Sequence, residues 1–255
     1  MRSPHSATPP RGSRLSDVEL AARLAQGAGE VLVAARHRSI LTGSVLGDVG
    51  DAVAQAWIAA ALAIHRPHDA VLSEEARDSG ARLRSERVWI IDPLDGTREY
   101  ASGRDDWAVH IALTVDGEPT DCAVSLPATG ELFRTDEVSQ AAEPSGRLVV
   151  SRYGLNYDTA WVADRLSLTP YSVGSAGAKA MAVVRGDADA YVHGTGQYEW
   201  DNCAPVGVAL AAGLHCSRFD GSPVVYNRSR PYVRDFVICR SDIADAMLSA
   251  LADLF

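Results

Sequence analysis

The chain begins with segments in which apolar residues recur at helical spacing, followed by short apolar runs typical of buried strands. A capping box of Ser16 with Glu19 predicts the start of a first helix. A second helix is predicted over 51–64, where apolar residues share one face. Short strands are predicted over 70–72 and 88–91, and the second of these ends at two carboxylates around a proline.

The rest of the chain adds an antiparallel group and then alternates strands with helices. Asp116-Gly117 and Ala128-Thr129-Gly130 supply the turns of the antiparallel group. These elements predict a mixed α/β (α+β) layered sandwich. The predicted strands cover 107–115, 120–126, 130–134, 148–151, 171–173, 190–192 and 236–239, and the predicted helices cover 157–166, 178–184, 203–212 and 243–254.

A change in composition divides the chain. Residues 1–14 are rich in Pro, Ser and Arg, have no apolar segment, and are expected to form a disordered tail. The small, polar stretch 140–146 is the best boundary between two lobes, which we place at 15–142 and 143–255. With 255 residues, 47% of them hydrophobic, the chain can bury a sizeable core.

Charge and cysteine content restrict the class of protein. The net charge of −9 argues against nucleic acid or a membrane surface as partner. No apolar stretch is predicted to span a membrane, and no secretory signal is recognised. The four cysteines are widely spaced without a C-x-x-C pair, which disfavours zinc and fits reduced thiols in the cytoplasm.

The stretch from Val88 to Thr97 carries the strongest chemical signal. Asp92 and Asp95 follow a buried strand, and Pro93 between them cannot donate to a sheet. Two acids held this close repel each other unless a cation lies between them. An acidic turn of ordinary Asp, Pro and Gly residues is the alternative explanation of the motif alone.

Three further acids lie at or near the ends of predicted elements: Asp51, Glu74 and Asp201. Together with Asp92 and Asp95 they would suit two or more Mg²⁺ ions, which prefer oxygen ligands and can activate a water near a phosphoryl group. The amides of Gly96 and Thr97 could donate to phosphate. Taken alone, an acid such as Asp201 is more often a plain helix N-cap, and one such as Asp51 a solvated helix residue.

Three other patterns in the sequence carry weaker chemical signals. An aspartyl nucleophile of the Asp-x-Asp-Gly-Thr type is disfavoured, because Asp92 and Asp95 are one residue further apart. The stretch from Gly174 to Lys179 is too short for a P-loop, although a glycine-rich helix entry with the chain's only lysine can still hold a phosphate. His110 is interpreted as a core or strand residue, and His193 as the more interesting histidine.

The motifs resemble those of the inositol monophosphatase superfamily of Mg²⁺-dependent, Li⁺-sensitive phosphatases. Ser73-Glu74-Glu75 is similar to its Gly-Glu-Glu motif, and 89–97 matches its central signature. Trp200-Asp201 with Ala204 is similar to its second signature, and the three occur in family order. Arg98-Glu99-Tyr100 resembles the CysQ-type 3′(2′),5′-bisphosphate nucleotidases within the superfamily.

The resemblance implies a five-layer αβαβα sandwich, two or three Mg²⁺ ions, and hydrolysis of 3′-phosphoadenosine 5′-phosphate, extending to its sulfated form in sulfate assimilation. A small phosphorylated nucleotide is the implied partner, and a homodimer is common in the family. The implied metal ligands are Glu74, Asp92, the Leu94 carbonyl, Asp95 and Asp201. Thr97 with Asp51 would activate the water, Gly96 and Thr97 would hold the scissile phosphate, and Ser175, Lys179 and His193 would contact the nucleotide.

Departures from the family pattern leave alternatives for the substrate. His193 stands where nucleotidases usually carry Arg, and Gly47-Asp48-Val49-Gly50-Asp51 replaces the usual Val-Thr-x-x-Asp. Inositol 1-phosphate or fructose 1,6-bisphosphate could therefore be the substrate of the same chemistry. A catalytically silent metal- or nucleotide-binding protein is the alternative from another class.

Overall fold

The computed structural model describes residues 15–139 and 143–254, which form five alternating layers of helix and sheet. The first sheet contains β1 to β5 in chain order, with β1 and β2 parallel and the other pairs antiparallel. Its strands are β1 (Ala70–Ser73), β2 (Arg87–Asp95), β3 (Ala108–Val115), β4 (Glu118–Leu126) and β5 (Glu131–Arg134).

Helices cover both faces of this sheet, so alternate residues of β2 enter different cores. Trp89 and Ile91 pack under the outer helices α1 (Asp17–His37) and α2 (Gly43–His65). Val88 and Ile90 face the middle layer. Because both faces are covered, the strand is apolar throughout rather than alternating.

The second sheet lies beyond a middle layer of two helices, and two more helices cover its far face. Its spatial order is β10-β12-β8-β6-β7. The expected five-layer αβαβα sandwich is confirmed. Its strands are β6 (Arg147–Ser151), β7 (Thr169–Val173), β8 (Ala190–His193), β10 (His215–Ser217) and β12 (Phe236–Cys239); the middle helices are α5 (Ala176–Arg185) and α6 (Glu199–Ala211), and the outer ones α4 (Tyr157–Arg165) and α7 (Ala244–Ala252).

Two short elements complete the fold near the expected site. A five-residue helix, α3 (Thr97–Ala101), follows β2 directly. A two-stranded ribbon pairs β9 (Gln197–Tyr198), which directly precedes α6, with β11 (Tyr232–Val233), which follows later in the chain. The ribbon was not predicted, because two-residue strands leave no hydrophobic period to detect.

Strand β2 does not end at Pro93, contrary to expectation. It continues to Asp95 through a β-bulge, where Asp92 pairs with His110 and Asp95 pairs with Ala108. The bulge inserts one extra residue at the place where proline has no N–H to give to the ladder. It therefore brings both carboxylates to the end of a continuous strand.

Helix α2 begins eight residues earlier than predicted, at Gly43 rather than Asp51. Its glycines lower helix propensity but allow close packing on α3. A Cβ at Gly47 would lie 2.6 Å from Thr97 Cγ2, and one at Gly50 would lie 2.9 Å from Tyr100 Cε1. The longer helix places Asp51 in its middle, facing Thr97, instead of at a solvated end.

Among the described residues, α2 is also long and apolar enough, by length and composition alone, to cross a membrane. The expectation that no segment reaches this threshold was wrong. The helix packs against α1, α3 and β2 and carries the buried Asp51, so we interpret it as a core helix.

Helix α6 also starts earlier than predicted, and this changes the role of Asp201. The N-cap is Tyr198, and Asp201 is the third helical residue, with its carboxylate accepting a 2.7 Å hydrogen bond from the Tyr198 N–H. The prediction that Asp201 is the N-cap was wrong, and Pro205 lies within the helix rather than in its first turn.

The predicted tail 1–14 and Gln140 to Ala142 of the predicted boundary lie outside the described residues. The middle helices pack on both sheets, so the two predicted lobes share one hydrophobic core. Cys122, Cys203, Cys216 and Cys239 are free thiols.

Candidate active site

The five predicted acids converge at the carboxyl ends of β1 and β2. Asp92 lies at the centre and is 1% exposed. Burial raises the pKa of its carboxyl well above the ordinary value, and the carboxylates of Glu74, Asp95, Asp201 and Asp51 raise it further, in that order. The Asp92 carboxyl is thus affected by all four other acids, which lie directly after β1, at the end of β2, in α2 and in α6. The sequence placed these acids at separate elements, and the fold brings them together.

The environment also disfavours the charged forms of Glu74 and Asp201. Loss of hydration raises the pKa of Glu74, and the neighbouring carboxylates of Glu75 and Asp95 add to this. Burial raises the pKa of Asp201 to about 7, with Asp95 as the next cause. Without a counter-ion, Asp201 would be partly protonated near neutral pH.

Asp51 and Thr97 meet as predicted for a water-activating pair. The Thr97 hydroxyl lies 3.3 Å from Asp51 Oδ2 and 3.2 Å from the Leu94 carbonyl oxygen, so its single proton is shared between two acceptors. Asp51 Oδ1 is buried and has no hydrogen-bond partner. Burial, followed by Glu75 and Glu74, raises the pKa of Asp51 to about 7.

Asp95 is held differently from the other acids. Its Oδ1 accepts a hydrogen bond from the Ala176 N–H at 3.1 Å, and its Oδ2 accepts one from the Gly177 N–H at 2.6 Å. Burial alone would raise the pKa of Asp95, but the charge of His110 and these amides lower it below the ordinary value. The N-terminus of α5 therefore holds Asp95 as an anion in a fixed orientation.

His110 belongs to this site, and the sequence analysis missed it. Its Nε2 lies 3.3 Å from Asp95 Oδ2, and its Nδ1 donates to the Trp200 carbonyl at 3.1 Å. Burial lowers the pKa of His110, but Asp95 outweighs it and the pKa is raised. Antiparallel pairing of β2 with β3 was the available signal, since it sets His110 opposite Asp92.

Asp106 accepts hydrogen bonds from the residues at the start of α5. Its Oδ2 accepts from the Gly174 N–H at 2.8 Å and from Arg152, and its carbonyl accepts from the Ser175 N–H at 3.1 Å. The next two amides bind Asp95, and the Ala178 N–H binds Ser175 Oγ at 3.1 Å. These five consecutive amides are thus occupied by the protein, so the phosphate that we expected in this loop would have to displace existing hydrogen bonds.

The predicted nucleotide contacts divide into two groups. Ser175 caps α5, and its hydroxyl also hydrogen-bonds to Asp95, so it positions the carboxylate rather than facing substrate. Lys179 is 7% exposed, with Nζ 5.1 Å from the ring centroid of Tyr191. The contact between Lys179 and substrate stays a prediction.

His193 cannot provide positive charge at neutral pH. Burial lowers its pKa to about 4. Its Nε2 contacts the Gly196 carbonyl at 3.1 Å and Thr195 Oγ1 at 3.2 Å, and its ring stacks on Phe236. The contact between His193 and substrate stays a prediction, restricted now to a neutral imidazole.

Gly96 joins the two halves of the site. Its φ of +87° is in the left-handed region, and a Cβ there would lie 2.7 Å from Ser175 Cβ. Both restrictions require glycine. The turn after β2 therefore contacts the α5 entrance directly, with Thr97 starting α3 immediately afterwards.

The donor set fits a hard divalent cation. It consists of carboxylate oxygens and a backbone carbonyl, with raised pKa values that an ion would relieve and an unpartnered buried oxygen on Asp51. Within 15–139 and 143–254, no three His, Cys, Asp or Glu side chains are close enough to enclose an ion as they stand.

Comparisons with known proteins agree with this geometry. The model of the inositol monophosphatase family matches residues 16–253. The chain is 48% identical over 260 residues to the 3′-phosphoadenosine 5′-phosphate phosphatase of Mycobacterium leprae, covering 95% of this chain and 96% of that protein. It is 52% identical over 220 residues to the protein of the same name from Mycobacterium tuberculosis, covering 82% of each.

A solved structure shares the fold. It is that of CysQ from Bacteroides thetaiotaomicron, described as a bacterial member of the inositol monophosphatase family. The TM-score is 0.75 at 23% identity, covering 88% of this chain and 97% of that one.

Proposed function

The chain belongs to the inositol monophosphatase family, and on that premise we propose that it is a Mg²⁺-dependent phosphatase that converts 3′-phosphoadenosine 5′-phosphate to AMP and phosphate. The observation that carries the proposal is the group of acids around Asp92 beside the Thr97–Asp51 pair. The names of the mycobacterial relatives support the nucleotide as substrate.

Each residue of the site has a distinct role in this reaction. Glu74, Asp92, Asp95, Asp201 and the Leu94 carbonyl would hold two or three Mg²⁺ ions. When bound, these ions neutralise the phosphoryl charge and lower the pKa of water. Thr97 orients the attacking water through its hydroxyl, and Asp51 accepts the water's proton at its unpartnered Oδ1. The amides of Gly96 and Thr97 hold the scissile phosphate.

The wider assignment follows from the same premise. We propose that the sulfated nucleotide is also a substrate, that Li⁺ inhibits at one Mg²⁺ position, and that the enzyme acts in sulfate assimilation in the cytoplasm. The neutral state of His193 favours one specific alternative, inositol 1-phosphate, because the site then has little positive charge for a second phosphate.

The Thr97 hydroxyl provides a sharp test. Thr97→Val keeps the shape and the methyl group against Gly47, but removes the proton shared with Asp51 and Leu94. We expect kcat on the nucleotide to fall about 100-fold or more, as for loss of a group that assists proton transfer. Thr97→Ser should keep most of the activity. Wild-type kcat in Thr97→Val would contradict this role.

A further inference from the structure

An exposed aromatic surface lies beside the acids and has no role in the chemistry above. The Tyr198 ring stacks parallel on Trp200, with centroids 4.6 Å apart and planes 5° apart. The Tyr232 ring lies nearly perpendicular to the Tyr198 ring, with centroids 5.6 Å apart. Tyr198 nevertheless remains 49% exposed. We refer to these three rings as the aromatic platform.

The platform is fixed relative to the metal-side carboxylates. The Tyr198 N–H is bound by the Asp201 carboxylate at 2.7 Å, and pairing of β9 with β11 aligns Tyr198 with Tyr232. The guanidinium of Arg230 lies over the Tyr232 ring, 5.2 Å from its centroid. A ring fixed on several sides loses little conformational entropy when a ligand stacks on it.

The platform also lies next to the other group predicted to meet substrate. The Tyr232 hydroxyl donates to the Thr195 carbonyl at 3.3 Å, and Thr195 in turn contacts His193. Along the chain, Tyr198 stands between His193 and Asp201. The platform is therefore linked to both residues expected to meet substrate, to Asp201 through the Tyr198 N–H and to His193 through Tyr232 and Thr195.

We propose that Tyr198, supported by Trp200 and Tyr232, is a stacking surface for the nucleobase of the substrate. This inference rests on the proposed nucleotide function and names the residues that separate a nucleotide from a sugar phosphate. Aromatic side chains bind bases by stacking without reading their hydrogen-bonding edges, because every base has a π-face. Inositol has no such face.

The test compares Tyr198→Phe, Tyr198→Leu and Tyr198→Ala on two substrates, 3′-phosphoadenosine 5′-phosphate and inositol 1-phosphate. We expect Tyr198→Ala to lower kcat/KM for the nucleotide about 5- to 150-fold, the usual range for loss of one stacking ring. Tyr198→Phe should stay near wild type, Tyr198→Leu should fall between, and inositol 1-phosphate turnover should change little in all three.

AMP binding provides a readout that does not depend on turnover. AMP should quench the fluorescence of Trp200, and this change should be absent in Trp200→Phe and weakened in Tyr198→Ala. Equal losses on both substrates, or an unchanged kcat/KM for the nucleotide in Tyr198→Ala, would overturn the stacking role. Failure of the wild-type protein to hydrolyse the nucleotide would instead refute the proposed function itself.

Discussion

Removal of divalent ions should make the stability of this protein fall as the pH rises through neutrality. The folded state raises the pKa of Asp51 and of Asp201 from 3.8 to about 7. Groups with a raised pKa bind more protons when folded, so unfolding becomes easier as pH rises from the unfolded value to the folded one. The stabilising effect of protonation is complete below about pH 4 and is lost by about pH 7.

The magnitude follows from these values. Each pKa unit corresponds to about 1.4 kcal/mol, so one such carboxyl has an upper limit of about 4 kcal/mol. Solvent screening and the dependence of both acids on the charge of Glu74 reduce this limit, and we expect about 2–4 kcal/mol for the two acids together. For a chain of this size that corresponds to roughly 4–16 °C in melting temperature.

The assay is thermal unfolding between pH 5 and 8, in EDTA and in excess Mg²⁺. In EDTA the melting temperature should fall across this range, whereas Mg²⁺ should remove most of the fall by binding the ionised acids. Asp51→Asn should flatten the EDTA curve, while Asp105→Asn, at an exposed side chain, should not. A melting temperature in EDTA that is constant or rises with pH would refute the reasoning.

Three further predictions concern the support of the site. Asp106→Ala removes the acceptor of the Gly174 N–H and should weaken Mg²⁺ binding about 10- to 100-fold, the usual effect of losing an outer-shell partner of a metal ligand. Calorimetry measures the affinity, with Asp105→Ala as the control. Unchanged affinity in Asp106→Ala would contradict this supporting role. In steady-state kinetics, Lys179→Met should raise KM for the nucleotide about 10- to 100-fold, because a charged contact is lost. An equal rise in KM for inositol 1-phosphate would argue against a contact between Lys179 and the second phosphate. Gly50→Ala places a Cβ 2.9 Å from Tyr100 and 3.0 Å from Leu94. The free energy of unfolding, measured in urea, should therefore fall by about 1–3 kcal/mol. An unchanged free energy of unfolding would show that α2 can move to accept the methyl group.

The sequence was informative where local pattern and tertiary structure agree. The first helix begins at the Ser16 capping box, and β2 carries Asp92 to the site as its apolar run indicates. Asp51 was predicted at the start of the second helix. The structure extends α2 back to Gly43, because Gly47 and Gly50, despite their low helix propensity, allow it to lie directly on α3.

Other parts of the site depend on contacts between distant segments. His110 looked like an ordinary strand residue, because only strand pairing shows that it faces Asp95. Ser175 fitted a phosphate loop in sequence, yet the α5 entrance is occupied by carboxylates of the protein. The orientation of Asp201 was also inaccessible, because it depends on a ribbon too short to predict.

The central claim is tested most directly by phosphate release from 3′-phosphoadenosine 5′-phosphate, inositol 1-phosphate and fructose 1,6-bisphosphate, each with Mg²⁺ and with EDTA. The account predicts turnover that requires Mg²⁺ and a higher kcat/KM for the nucleotide than for either sugar phosphate. Preference for a sugar phosphate would contradict the proposed substrate while keeping the metal site. Binding of the nucleotide without phosphate release at saturating Mg²⁺ would contradict the enzymatic assignment itself.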